Sequence, residues 1–346
     1  MLLSVITPLL LAAASYAQQS TPRVLVYSAT APDGYRHDSI PTAINVLGQN
    51  ADKYGVQFVF SEDMQMFTNE TLSGFDGVMF VSNSEEVLDA PGKAALQTFF
   101  QSGGVYTGVH SASTCLTDDV NYGLALGAFF DYHPPLQTAT FERLNTTHPA
   151  VANVPDRWTF QEEVYYFSTN PRDNGAVVIL TVDETSYVNN GSSQGDYSNI
   201  HGSPHPIAWY IESPLSAQPF AESVSKAGRS FYTSLGHLNS TWEDETFIGH
   251  LMGGLLWALD GASTKAYGVG VVGNATAPST NQSTATVGGS STHGGSTAAT
   301  TAVTAVAASG SSSSESNGSE QVLPSSVLMA LGVSILGAVF GMGLAL

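Results

Sequence analysis

The sequence predicts an α/β protein: a three-layer sandwich with a parallel central sheet and an added β-rich portion. Three observations carry this reading. Strand and helix signals alternate from residue 23 to about 110, the order in which a parallel sheet and its crossover helices are built. Residues 77–82 are apolar almost without a break, as in a strand buried on both faces. Beyond about Asp131, helical periodicity gives way to β-branched and aromatic runs.

The elements follow in order. Residues 23–29 form a short apolar strand. Asp38 is read as the cap of a helix running to Tyr54, with Ile40, Ala43, Ile44 and Leu47 on one face. Residues 56–60 and 77–82 are the next strands. Pro91 opens a helix over 94–101, which Gly103 and Gly104 close. Residues 105–109 form a fourth strand that leads into His110. Strands are then expected at 138–144, 164–167, 176–182, 207–211 and 230–235. A helix over 246–259, with Phe247, Ile248, Leu251, Met252, Leu255 and Leu256 on its apolar stripe, packs back on the sheet.

Composition divides the chain into zones. Residues 1–17 read as a signal peptide, a short apolar core followed by the small residues Ser15 and Ala17. Residues 21–262 hold the aromatics and nearly all the charge, and read as one domain. Residues 263–320 are rich in Ser, Thr, Gly and Ala; such a stretch cannot bury enough apolar surface to fold and reads as a stalk. Residues 321–346 read as a GPI-attachment tail, with an uncharged apolar run from 327 onward and Asn317 or Gly318 as the attachment residue. A retained membrane helix is the alternative, since the run is long enough to cross a bilayer.

Glycosylation sequons begin at Asn69, Asn145, Asn190, Asn239, Asn274, Asn281 and Asn317. Together these features predict a secreted glycoprotein on the outer face of the plasma membrane or in the cell wall, tied to the membrane by a lipid anchor. The net charge of -19, with only 10 Lys and Arg, excludes nucleic acid as a partner. The single cysteine, Cys115, leaves stability to the hydrophobic core.

Ligands of open parallel sheets bind at the carboxyl ends of the strands. Five histidines fall there or in the adjoining loops: His37, His110, His133, His205 and His237. Glu162 and Glu163 stand just before Tyr165. Neutral imidazoles suit a divalent metal, and histidine also serves acid–base chemistry near neutrality. No HExxH or CxxC motif is present, so any metal site draws its ligands from distant segments; His37, His110 and His205 are the candidates. Packing alone is the bland alternative for each. The turn at Gly108, Val109, His110 and Ser111 stands where a nucleophile elbow would, with His in place of Ser or Cys.

At these residues the chain resembles ThuA-like (trehalose utilisation) proteins, a branch of the class I glutamine amidotransferase-like fold. The matching stretches include 35–40, 103–112, 130–135, 162–167, 205–209 and 229–237, in order along 23–260. The resemblance implies a flavodoxin-like core, a link to sugar metabolism, and a site at His37, His110, Glu163, His205 and His237. With His110 at the elbow, glutaminase chemistry is not expected.

Two functions are carried forward. The first is an enzyme acting on a carbohydrate, an oxidised or keto sugar, by isomerisation, elimination or hydrolysis. His110 or His237 is its acid–base catalyst and Glu163 the orienting group. Arg36, His37, His133 and His205 are its candidate ligand-binding residues, Tyr165 and Trp209 stack on the sugar, and a divalent metal is a compatible cofactor. The second is a non-catalytic carbohydrate-binding or wall-organising protein that uses the same pocket.

Overall fold

Apolar runs with two faces to bury become central strands; the N-terminal half supplies three of them and one edge strand. The structure, a computed structural model, describes residues 21–193 and 200–260. The predicted leader, stalk and tail, with Asn274, Asn281 and Asn317, lie outside the described residues. In β1 (Arg23–Tyr27), Val24 and Val26 enter one core while Leu25 and Tyr27 enter another. β2 is Gln57–Ser61, β3 is Gly77–Val81 and β4 is Val105–Val109. β3 repeats the pattern of β1, with Met79 and Val81 on one face and Val78 and Phe80 on the other.

The β-rich half joins the same sheet instead of forming a separate layer. It supplies β5 (Gln137–Arg143), β6 (Arg157–Glu162), β7 (Val177–Val182), β8 (Ala208–Ile211) and β9 (Ser230–Thr233). The nine strands run in the order β2-β1-β3-β4-β9-β8-β7-β5-β6. The first five in that row are parallel, and the remaining pairings are antiparallel. β9 is therefore the seam: parallel to β4 on one side, antiparallel to β8 on the other.

Helices cover both faces. α1 (Ile40–Tyr54) buries Ala43 and Leu47, and α4 (Glu245–Asp260) buries Phe247, Leu251 and Leu255 in the same core. α2 (Ala90–Gln101) and α3 (Val120–Leu126) place Leu96, Phe99, Tyr122 and Leu126 in the opposite core. No helix of the described residues is long and apolar enough to cross a membrane.

Several boundaries differ from expectation. Ser39, not Asp38, occupies the N-cap of α1, and it makes no side-chain capping bond. α2 starts at Ala90, earlier than Pro91 and the apolar run imply. There Asp89 accepts a hydrogen bond from the Gly92 amide and satisfies a free donor of the first turn. The segment 164–167 is a strand only at Tyr166–Phe167, paired with Phe130–Tyr132 in a separate ribbon. β6 was not expected from the sequence, because its polar residues alternate with its buried ones, Trp158 and Glu162. Asn69, Asn190 and Asn239 are exposed, as glycan acceptors require, whereas Asn145 is half-buried and its Oδ1 accepts from the Thr147 and His148 amides.

His250 of α4 lies within the core. Its Nδ1 donates to the Ala150 carbonyl, and its Nε2 is 3.1 Å from the Thr233 hydroxyl. Burial lowers its pKa from 6.5 to about 4. The folded state holds it neutral, while the unfolded chain protonates it near 6.5. Its contribution is complete above that pH and is lost as pH falls toward 4, about 3 kcal/mol in all. Urea unfolding at pH 7 and pH 4.5 should register this loss, and a His250→Gln chain should lose less over the same interval.

Candidate functional site

The carboxyl ends of β1, β4 and β9 converge, and each delivers one histidine. His37 comes from the loop after β1, His110 is the residue directly after β4, and His237 lies four residues past β9. A second polypeptide pass, just after β6, brings Glu163 and Tyr165 over them. The ligand atoms of His37, His110, His237 and Glu163 all lie within 4.8 Å of one another.

His110 sits at the centre. Its backbone is left-handed, with φ 56°, a conformation that costs about 1–2 kcal/mol in a non-glycine residue. The turn aims the ring between the strand ends instead of down a helix. Its Nδ1 lies 2.7 Å from the Ser234 carbonyl. A carbonyl only accepts, so Nδ1 carries the proton and Nε2 presents a lone pair. That nitrogen faces His37 Nε2 at 3.1 Å, the Tyr165 hydroxyl at 3.0 Å, His237 Nδ1 at 3.3 Å and Glu163 Oε2 at 3.5 Å. One lone pair cannot serve four neighbours. His37 Nδ1 is in turn 3.3 Å from the Ser111 hydroxyl.

The electrostatics divide the three imidazoles. Burial, reinforced by His237, lowers His37 to about 4. Burial and His37 push His110 well below the usual histidine range. Burial also opposes a charge on His237, but Glu163 Oε2 at 3.1 Å outweighs it and raises that pKa. Burial keeps Tyr165 a neutral phenol, far above its ordinary pKa. The cluster thus offers two neutral nitrogens beside a histidine–carboxylate pair.

The cluster opens into a cavity of about 540 Å³, within the range of small-ligand sites. Tyr35, Phe130, His133 and Glu85 also line it. Tyr35 is 64% exposed, and its ring meets His37 edge-on. His133 Nδ1 is 2.8 Å from the Pro134 carbonyl, which leaves Nε2 facing Glu163 Oε1 at 3.5 Å.

The remaining expectations meet the structure unevenly. His205 does not join this cluster. Its ring lies behind Tyr165, bonded to the Tyr165 carbonyl and to Glu184, so the candidate metal ligands that the structure brings together with His37 and His110 are His237 and Glu163, while His205 falls in a separate group with Glu184 and His201. Arg36 pairs with Glu62 and does not line the cavity. Trp209 is fully buried and donates to the Leu126 carbonyl, so it cannot stack on a ligand. Cys115 is also buried, with its thiol against the Ala112 carbonyl and the Tyr122 hydroxyl. Burial pushes it up to about 12, which removes it as a nucleophile.

Sequence reasoning passed over Glu162. It is fully buried at the end of β6, and its carboxylate accepts from the Glu163 and Gly236 amides, the Thr241 hydroxyl and, at 3.3 Å, the His237 amide. A Glu-Glu pair closing a strand was the only available signal. Desolvation raises its pKa to about 7. Glu162→Ala would leave several buried donors without an acceptor, at a cost of about 3 kcal/mol. Urea denaturation should show this loss, with Glu162→Gln, which keeps one carbonyl acceptor, losing less than half as much.

With the fold and cluster described, comparison with known proteins is informative. The ThuA family model, described as trehalose utilisation, matches residues 23–258. A putative ThuA-like protein from Bacteroides uniformis is 19% identical in structural alignment, with a TM-score of 0.50, covering 71% of this chain and 94% of its own. One from Parabacteroides merdae is 16% identical, also at 0.50, covering 69% and 91%. At these identities the likeness establishes a shared fold. No curated protein matches the chain. The family match spans more than half of the chain and runs through every strand of the sheet and every member of the cluster: this chain belongs to the ThuA family.

Proposed function

We propose that this chain is an enzyme acting on a carbohydrate of the keto-sugar class, with a divalent cation of the zinc type held by His37, His110, His237 and Glu163. One observation carries the reading. Three donor atoms, from His37, His237 and Glu163, stand 3.1–3.5 Å from His110 Nε2, which cannot bond them all, and the four atoms lie within 4.8 Å of one another. Ligands about 2.0–2.2 Å from a zinc ion lie roughly 3–3.5 Å from one another. Oriented imidazoles add to the fit, since His110 donates its other ring proton to a carbonyl, the usual support of a ligating histidine.

Such an ion supplies Lewis acidity toward a carbonyl or hydroxyl oxygen. The chain supplies the rest. Tyr165, kept protonated by burial, donates a hydrogen bond toward an oxygen beside His110. His133, at the cavity wall with its Nε2 3.5 Å from Glu163 Oε1, is the base that takes the proton from the carbon next to the substrate carbonyl. Returning it to the former carbonyl carbon, while the neighbouring hydroxyl gives its proton to the former carbonyl oxygen, completes an isomerisation. Tyr35 and Phe130 offer apolar faces to the C–H side of a sugar ring. Glutamine hydrolysis is not proposed, because the elbow carries His110 and the only thiol is buried.

The exposed sequons at Asn69, Asn190 and Asn239 support placing this enzyme in a secretory, glycosylated setting. A lipid-anchored position outside the cell is proposed from the sequence alone.

The test is metal analysis of the purified chain, followed by NMR product analysis with a panel of keto sugars and the corresponding aldoses. His37→Ala should lose the pocket metal and turnover together. His133→Ala should retain the metal and lower kcat by about 10²–10⁴. Product formed at an unchanged rate by either variant would refute the assignment. Sugar binding without conversion would instead favour the carbohydrate-binding reading.

A further inference from the structure

Two further histidines lie outside the pocket cluster, and the hydrogen bonding around them does not balance. His205 is 4% exposed, and its Nε2 is 2.8 Å from the Tyr165 carbonyl. A carbonyl only accepts, so this nitrogen holds the proton. The other nitrogen, Nδ1, is 3.0 Å from Glu184 Oε1. A carboxylate also only accepts. With a neutral ring, two lone pairs would therefore face each other at hydrogen-bond distance, so a positive species must lie between them.

His201 makes the imbalance larger. It is also 4% exposed, and its ring centroid is 4.4 Å from that of His205. Among the described residues, its ring nitrogens have only the Gly202 carbonyl beside them, outside good hydrogen-bond geometry. Burying two unpaired imidazole nitrogens is unfavourable. A proton on His205 would settle its contact with Glu184 but leave His201 unpaired. A cation would satisfy all three residues, since Glu184, His201 and His205 each offer a ligand atom within 4.8 Å of the others.

We propose that Glu184, His201 and His205 form a second divalent-cation site, distinct from the pocket. Its donor set, two imidazoles and one carboxylate, suits zinc or a related first-row ion, with solvent completing the coordination. His201 and His205 are four residues apart, a spacing seen between the histidine ligands of structural zinc sites. The Glu184 side chain is 59% exposed, which gives the ion a route from solvent. The site has a mechanical connection to the pocket. His205 holds the Tyr165 carbonyl, the Tyr165 hydroxyl meets His110, and the neighbouring Tyr166 packs edge-on against His205. The ion would brace the ribbon that carries Glu163 and Tyr165.

The experiment is titration of the metal-stripped full chain with Zn²⁺ by calorimetry, repeated with Co²⁺ for its visible spectrum. Wild type should take up an equivalent that Glu184→Gln and His201→Ala each abolish or weaken at least tenfold, with the cobalt spectrum changing accordingly. Because Glu184 is largely exposed, Glu184→Gln keeps the test valid if His201→Ala fails to fold. His37→Ala serves as the reference for the pocket. Uptake lost with Glu184→Gln but kept in His37→Ala supports this site even if the pocket reading fails. Stoichiometry and affinity unchanged by Glu184→Gln would overturn the proposal and leave an imidazolium–carboxylate pair.

Discussion

The site depends on one buried carboxylate. β6 lies four strand positions from β9 in the sheet, which in a flat sheet would separate them by about 19 Å. Yet Glu162, the last residue of β6, accepts from the Gly236 amide just beyond β9. The antiparallel half must therefore curl back over the seam, as strong sheet twist allows. Glu162 fastens that curl. It also binds the Glu163 amide and the Thr241 hydroxyl, so one anion fixes the start of the Glu163 ribbon, the His237 turn and the one-turn helix Asn239–Glu243. Desolvation opposes its charge, and the converging donors offset only part of the penalty, so its pKa stays raised. Without this link, Glu163 would have no fixed relation to His237.

The rest of the site follows from that closure. β1, β4 and β9 are neighbours or near neighbours by parallel pairing, so their loops would meet at one end of the sheet in any case. What the curled half adds is a lid of defined chemistry: an anion, Glu163, a phenol, Tyr165, and the cavity wall made by Phe130 and His133. The anion raises the pKa of His237, while burial lowers those of His37 and His110. Three identical side chains thereby acquire different protonation within a few ångströms, because Glu163 dominates at His237 while burial and the neighbouring imidazoles dominate at His37 and His110.

Much of this architecture was legible in the sequence. Continuous apolar strands and the placement of histidines after them identified both the parallel core and the end of the sheet that matters. His37, His110, His237 and Glu163 were all singled out. The failures have in common that they depend on tertiary placement, which no local pattern encodes. His205 stands just before β8, whose antiparallel pairing with β9 does bring it to the site's end of the sheet, but its ring lies behind Tyr165, bonded to that residue's carbonyl. Glu162 and Glu163 look alike in sequence, and only the pleat of β6 decides that one is buried and the other faces the pocket. Trp209 read as a stacking residue because a buried indole and an exposed one are spelled the same way. β6 itself was hidden because its polar face alternates with a sparse buried one.

The backbone at His110 offers a final argument about purpose. A left-handed residue at the end of a buried strand opposes folding unless its side chain gains something there. In this chain it does not gain packing alone, since an apolar residue would pack without bringing polar atoms into the core. Nor does it present a nucleophile, since an imidazole with its Nδ1 proton committed to the Ser234 carbonyl offers one nitrogen, already surrounded. What the strained turn secures is a fixed direction for that nitrogen. Ser111 beside it and Gly236 opposite, itself at φ 125° with His110 close to where its Cβ would stand, leave little freedom to rotate. A fixed nitrogen is what the coordination proposed at His110 requires, and it leaves the proposed proton transfer to His133, the more accessible imidazole.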